Sequence, residues 1–144
     1  MILLDSSGLW SAIDASQPRH RESRLALQAE QPPYVLSPFV LAELDYLIVR
    51  DAGVGAELQF LLGVARGVYE LAAFEPEDVG AARRLVARYR DLRIGLTDAS
   101  IAVLAERYGT NRVLTLDERH FRALKLAGGK PFVVLPEDAE HETL

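Results

Sequence analysis

The sequence of 144 residues contains no cysteine, one tryptophan and one methionine. The absence of cysteine excludes disulfide scaffolds, thiolate zinc sites and cysteine nucleophiles. No apolar run approaches the length of a transmembrane helix, and the run Ile2 to Leu4 before Asp5 is too short for a signal peptide. We therefore expect a cytoplasmic protein with no membrane partner.

Histidine is also scarce, since the chain has three, His20, His120 and His141, and they are scattered. An imidazole-rich metal site is therefore not expected. A metal site would be built mainly from carboxylate oxygen, which suits Mg²⁺ or Mn²⁺ better than zinc. No glycine-rich loop follows a predicted strand, so nucleotide binding through a phosphate loop is disfavoured.

Short apolar strands alternate with helices along the chain. Strands are predicted at 2–4, 34–36, 69–73, 112–116 and 131–135, and helices at 8–15, 22–29, 38–51, 55–65, 76–90 and from Asp98 to Tyr108, with Thr97 as the N-cap of the last helix. This alternation predicts an α/β fold with a parallel sheet covered by helices on both faces. We expect one domain over residues 1–136, followed by an acidic tail at 137–144.

Four acids occupy positions that converge in such a fold. Asp5 and Asp117 each follow a strand, Asp98 opens a helix after Thr97, and Glu43 lies in a helix that is apolar nearly all round. The carboxyl ends of parallel strands meet at one edge of a sheet, where ligands bind. Four carboxylates there would repel one another without a cation. One or two Mg²⁺ ions fit such ligands, and two together can activate water and stabilise the leaving oxygen of a phosphodiester.

Each acid also has a structural interpretation. Asp5 can cap the first helix, Asp98 can favour its helix dipole, and Asp117 can form a turn after its strand. Glu43 is hardest to explain structurally, because a carboxylate on a buried helix face is costly. We assign neighbouring Asp45 a structural role, although the sequence does not separate it firmly from Glu43.

Four segments together carry a family resemblance: LLDSS, SPFVLAELDYL, GLTDASIAVLA and TLDERHF. With them the whole chain resembles PIN-domain ribonucleases, and specifically the VapC-type toxins of bacterial and archaeal toxin–antitoxin operons. The resemblance implies a three-layer α/β/α sandwich with a mostly parallel central sheet of four to five short strands. It also implies RNA cleavage dependent on Mg²⁺ or Mn²⁺, and a homodimer inhibited by a small VapB-like antitoxin.

The resemblance assigns both catalytic and metal-binding roles to Asp5, Glu43, Asp98 and Asp117. Ser6, Thr97 and Thr115 are expected to support these acids by hydrogen bonding. The chain reads DSS at its first motif, where the family frequently has DTN, so an asparagine-like contact is not expected at Ser7.

Basic residues cluster in two regions of the sequence, around 83–93 and 119–125. Excluding the four acids of the tail and the four site carboxylates changes the net charge from −5 to +3. Such clusters either form solvated helix faces or track a phosphate backbone without reading sequence. The arginines predicted to contact RNA are Arg84, Arg88, Arg93 and Arg119.

Three other functions compete with the ribonuclease interpretation. A non-catalytic nucleic-acid-binding or protein-interaction domain on the same fold would be indicated by loss of an acid, and all four are present. A phosphatase of the haloacid dehalogenase type requires a second Asp two residues after the first, where this chain has Ser7. A deoxyribonuclease stays open, because two-metal carboxylate sites cut both polymers.

Overall fold

A computed structural model describes residues 1–139 of the chain. The strands are β1 (Ile2–Leu4), β2 (Tyr34–Leu36), β3 (Glu70–Leu71), β4 (Arg112–Leu114) and β5 (Val133–Leu135). The helices are α1 (Ser6–Ile13), α2 (His20–Gln28), α3 (Pro38–Ala65), α4 (Pro76–Arg88), α5 (Leu96–Tyr108) and α6 (Glu118–Ala123). Short 3₁₀ turns lie at Arg90–Leu92 and Ala127–Gly129.

The five strands form one parallel sheet in the order β3-β2-β1-β4-β5. All three residues of β1 are fully buried, as expected for a central strand covered on both faces. At one edge, β3 is only two residues long and exposed, which limits pairing with another chain. The predicted three-layer α/β/α sandwich is confirmed, with α5 packed on β1 and α2 packed on β4.

Helix α3 joins two segments that were predicted as separate helices. Its backbone breaks at Gly53, where φ is 84° and ψ is 178°, so the chain changes direction without leaving the helix for long. In its first half, Val40, Leu44 and Ile48 form the buried stripe at a spacing of four residues. The rest of this half is more exposed than its apolar sequence indicates.

The start of the predicted acidic tail makes two ion pairs with the domain. Glu137 lies 3.1 Å from Arg19, and Asp138 lies 2.7 Å from Arg122. Asp138 also accepts a hydrogen bond from the backbone N–H of Val134. The remainder of the tail, 140–144, lies outside the described residues. Within residues 1–139, no helix has both the length and the apolar character needed to span a bilayer.

Candidate active site at the carboxyl edge of the sheet

The pairing of β1 with β4 brings two of the predicted acids to one edge. Leu4 is in register with Leu114, and the next residue, Asp5, donates its backbone N–H to the Leu114 carbonyl at 3.0 Å. Thr115 and then Asp117 follow β4 at the same edge. Because β1 and β4 are parallel neighbours, Asp5 and Asp117 follow strands that end at the same edge of the sheet.

A glycine allows α1 to pass very close to the end of β4. A Cβ at Gly8 would lie 2.3 Å from the carbonyl oxygen of Leu114, a separation at which the backbone would have to move. This close approach places Ser7 Oγ 3.3 Å from Thr115 Oγ1 and lets it accept the Leu116 backbone N–H at 3.0 Å. Gly8 thus holds the first turn of α1 against the acid-bearing end of β4.

Asp5 is the most enclosed of the four acids, with 5% of its surface exposed. One carboxylate oxygen caps α1 by accepting the Ser6 backbone N–H at 2.9 Å, and the other accepts the Thr115 hydroxyl at 2.6 Å. Burial, together with the charges of Asp98 and Glu43, raises the pKa of Asp5 to about 6. Asp5 is therefore both a helix cap and a carboxylate whose ionised form is disfavoured, and these two interpretations do not exclude each other.

Glu43 is not buried, which corrects the expectation drawn from its apolar helix. It lies on the exposed side of α3, because Val40, Leu44 and Ile48 take the buried side. Its Oε1 accepts a hydrogen bond from the Ser6 hydroxyl. Contact with the site therefore comes through Ser6, and the carboxylate can be accessible to a ligand without the cost of full burial.

Asp98 lies in the first turn of α5 with 15% of its side chain exposed. The helix begins two residues earlier than predicted: Gly95 is its N-cap and Leu96 its first residue, so Thr97 is not the cap. The Thr97 carbonyl accepts a hydrogen bond from Ser100 Oγ at 2.7 Å. Burial, and then the charges of Asp117 and Glu43, raise the pKa of Asp98 despite its contact with His120.

Asp117 caps α6 and meets Asp98 through a histidine. Its Oδ1 accepts the His120 backbone N–H at 3.2 Å, and its Oδ2 lies 3.0 Å from His120 Nδ1. The same Nδ1 lies 2.6 Å from Asp98 Oδ2. Single ligand atoms from Asp98, Asp117 and His120 all lie within 4.8 Å of one another, a grouping that can hold a metal ion.

Thr115 connects Asp5, at the end of β1, with Asp117, which follows β4. Its hydroxyl donates to Asp5 and accepts the Asp117 backbone N–H at 3.0 Å. Ser6 and Thr115 therefore contact acids, as predicted for supporting residues. Two residues with comparable contacts, Ser7 and His120, were not predicted from the sequence. Ser7 precedes the helical glycine, and His120 stands three residues after Asp117, where a helix returns its side chain to the capping acid.

The four predicted RNA-binding arginines do not line one common cavity. Arg84 and Arg88 line a cavity of about 500 Å³ between α4 and α5 together with Lys125, and we name these three residues the arginine pocket. Arg93 borders a different cavity of about 430 Å³ with Arg83 and Arg90. Arg119 is exposed on α6. Arg122, from the same sequence cluster, is paired with Glu118 and Asp138.

The parallel sheet, with acids gathered where β1 and β4 end, matches a described family. A family model for the PIN domain matches residues 2–126, and the chain belongs to that family. Over 135 residues it is 43% identical to Ribonuclease VapC26 of Mycobacterium tuberculosis (strain ATCC 25618 / H37Rv), a match that covers 94% of this chain and 100% of that protein. The resemblance predicted from the four sequence motifs is confirmed.

Solved structures agree on the architecture. VapC20 of Mycobacterium tuberculosis, a sarcin-ricin loop cleaving toxin, superposes with a TM-score of 0.76 at 18% identity, covering 83% of this chain and 92% of that one. A toxin–antitoxin complex from Klebsiella pneumoniae gives a TM-score of 0.68 at 17% identity, covering 86% of this chain and 92% of that one. At these identities the likeness establishes the fold alone.

Proposed function

We propose that this chain is a divalent-metal-dependent endoribonuclease that acts as the toxin of a type II toxin–antitoxin pair. The main structural support is the placement of Asp5 and Asp117 after neighbouring parallel strands, with Asp98 next to Asp117 through His120 and Glu43 bonded to Ser6. The 43% identity to a protein named Ribonuclease VapC26 supports RNA as the polymer. Cytoplasmic RNA would be its target.

The residues present fit a hard divalent cation. Burial and neighbouring negative charge raise the pKa values of both Asp5 and Asp98. Ionisation of both carboxyl groups in the folded protein is therefore unfavourable without a cation. A cation removes that cost, and carboxylate oxygens are the ligands that Mg²⁺ and Mn²⁺ prefer. Asp5, Glu43, Asp98 and Asp117 would hold it.

The bound cation would supply charge neutralisation at the phosphodiester and a water activated for attack. The chain's own residues set the geometry of its ligands. Thr115 fixes Asp5 Oδ2 and, through a backbone N–H, the position of Asp117. The Ser6 hydroxyl orients Glu43. Because these contacts hold the carboxylates before any substrate arrives, little reorganisation is needed during reaction.

The test is cleavage of a labelled, structured RNA by the purified chain in Mg²⁺ or Mn²⁺. Asp5→Asn and Asp98→Asn should each abolish cleavage, because the amide keeps the shape of the carboxyl group but loses its charge. Asp91→Asn is the matched control, since Asp91 is an exposed acid in the turn before α5 and should leave activity unchanged. EDTA should stop cleavage, and an equivalent DNA should stay intact.

Three results would overturn the proposal, and a fourth would change its substrate. Cleavage that persists in EDTA, or in both site variants, would place the activity elsewhere. Salt-dependent RNA binding with no cleavage by the wild-type chain would favour the non-catalytic domain on the same fold. Equal cleavage of DNA would retain the site but change the substrate class.

We also propose a small VapB-like antitoxin as partner and a homodimer as the oligomeric state. A structural neighbour is a toxin–antitoxin complex, and another is VapBC2 from Rickettsia felis bound to a promoter DNA fragment. The homodimer rests on the family resemblance. Light scattering would give the mass of the chain alone and the mass of the chain mixed with the protein encoded by the neighbouring gene. A monomeric chain that does not bind this protein would contradict both the homodimer and the antitoxin partner.

A further inference from the structure

His120 lies between the carboxylates of Asp98 and Asp117, although the sequence pattern predicts no role for it. Its Nδ1 lies 2.6 Å from Asp98 Oδ2 and 3.0 Å from Asp117 Oδ2, while its backbone N–H is held by Asp117 Oδ1. The imidazole is 20% exposed, so it is largely enclosed yet still open to solvent on one side. One nitrogen atom therefore stands between two predicted metal ligands.

The separations of these three atoms are near those of ligands that share one ion. An octahedral ion with bonds of about 2.1 Å keeps adjacent ligand atoms roughly 3 Å apart and opposite ones roughly 4.2 Å apart. The 3.0 Å contact of Nδ1 with Asp117 Oδ2 equals the adjacent spacing, whereas its 2.6 Å contact with Asp98 Oδ2 is a hydrogen-bond distance that an ion bound to both atoms would widen by a few tenths of an ångström. Asp98 comes from α5, whereas Asp117 and His120 come from the start of α6, so two separate elements supply the set.

We propose that His120 Nδ1 is a nitrogen ligand of the divalent cation held by Asp98 and Asp117, an inference that rests on the proposed metal-dependent function. A nitrogen ligand changes metal preference. Mg²⁺ takes oxygen ligands and retains its waters, whereas transition-metal ions accept imidazole nitrogen more readily. The site therefore binds Mn²⁺ in preference to Mg²⁺, and His120 is the residue that makes the difference.

A positioning role would give similar distances, since an imidazole N–H can simply bridge two carboxylates. Pulsed electron paramagnetic resonance of the Mn²⁺-loaded wild-type chain separates the two roles. Nitrogen bonded to Mn²⁺ gives a ¹⁴N hyperfine coupling, which changes to a ¹⁵N coupling when histidine is labelled. A bridging imidazole outside the coordination shell gives no such directly bonded coupling. This measurement needs no substitution and is independent of RNA cleavage.

Titration calorimetry would compare the Mn²⁺ and Mg²⁺ affinities of the wild-type chain with those of two histidine variants. His120→Asn should weaken Mn²⁺ binding about tenfold or more, weaken Mg²⁺ binding less, and remove the nitrogen coupling. His20→Asn is the matched control, because His20 Nδ1 contacts the Ser11 carbonyl at 2.9 Å and no acid of the site. This control should keep both the affinity and the coupling.

The outcomes distinguish this inference from the function on which it rests. If Mn²⁺ binds and Asp98→Asn abolishes binding, but the wild type shows no nitrogen coupling, His120 is not a ligand and the carboxylate site stands. An unchanged ratio of Mn²⁺ to Mg²⁺ affinity in His120→Asn would also overturn the inference. If neither ion binds the wild-type chain, both the inference and the metal-dependent function fail.

Discussion

Replacing Asp5 with asparagine should stabilise the metal-free protein while it abolishes cleavage. Asp5 is 5% exposed, and its pKa rises from 3.8 to about 6 because of burial first and the charges of Asp98 and Glu43 in addition. The folded state therefore disfavours the ionised carboxylate that catalysis requires. A neutral amide at this position does not carry that cost.

The expected size follows from the pKa difference. A change from 3.8 to about 6 corresponds to roughly 3 kcal/mol of folding free energy at a pH well above 6. Between these two values the folded chain binds more protons at Asp5 than the unfolded chain does. The contribution of protonated Asp5 to the free energy of unfolding is therefore fully present below pH 3.8 and is lost as the pH rises through about 6. Rearrangement of the hydrogen bond with Thr115 offsets part of the gain, which leaves about 1–3 kcal/mol.

The assay is urea unfolding in EDTA, with wild type and Asp5→Asn compared near neutral pH and again near pH 4. The variant should be the more stable protein near neutral pH, and its advantage should shrink near pH 4. Asp91→Asn is the control, since loss of an exposed carboxylate should change stability little at either pH. A variant less stable than wild type near neutral pH, or an advantage equal at both pH values, would show that ionised Asp5 does not destabilise the fold.

Other substitutions probe the support of the site and its RNA contacts. Gly8→Ala should cost about 1–3 kcal/mol and lower cleavage, because its Cβ would lie 2.3 Å from the Leu114 carbonyl oxygen. Gly55 is also a helical glycine, but a Cβ built there would meet no atom within 4 Å. Gly55→Ala should therefore stabilise the protein by roughly 0.5–1 kcal/mol. Thermal melts of both variants would measure these changes in stability. Thr115→Val removes the hydroxyl that lowers the pKa of Asp5, so the acidic limb of the pH–rate profile should move to higher pH; an unmoved limb would contradict this. Replacing both arginines of the arginine pocket with glutamine should weaken RNA binding and reduce the slope of log affinity against log salt by about 0.7 for each phosphate that is no longer neutralised, and an unchanged slope would remove the pocket from the RNA path.

The strand ends were predictable because their signals are local. Short apolar runs identify β1 and β4, and an acid after each strand must lie at the carboxyl edge once the two strands are parallel neighbours. Gly109 ends α5 in the left-handed conformation with φ of 67°, a position that commonly takes glycine after the last residue of a helix. These features depend on residues close together in the chain, so they can be predicted from the sequence.

The environment of individual side chains was less predictable. Glu43 was expected on a buried face because its helical neighbours are apolar, but α3 buries one stripe and leaves other apolar residues exposed, including Tyr46 at 66%. Thr97 was predicted as the N-cap of α5, yet the helix begins two residues earlier, with Gly95 at the N-cap position. Both errors arise because tertiary packing decides which face is covered and where the helix begins.

His120 and Ser7 show a different limit. A single histidine among scattered ones gives no metal signal, and it gains meaning only when α5 and α6 bring Asp98 and Asp117 together around it. Ser7 gains its contacts with Thr115 and Leu116 because Gly8 lets α1 approach the end of β4. Such residues are found by distances between elements, which spacing along the chain does not provide.

The catalytic cation site can be tested by the single-turnover cleavage rate of one labelled RNA as Mn²⁺ is titrated into metal-stripped protein. We expect no cleavage without the ion, a rate that rises and saturates with added Mn²⁺ in the wild type, and no response in Asp98→Asn. A wild-type rate that is independent of Mn²⁺, or an Asp98→Asn variant that follows the wild-type curve, would contradict a catalytic cation site at the carboxyl edge of the sheet.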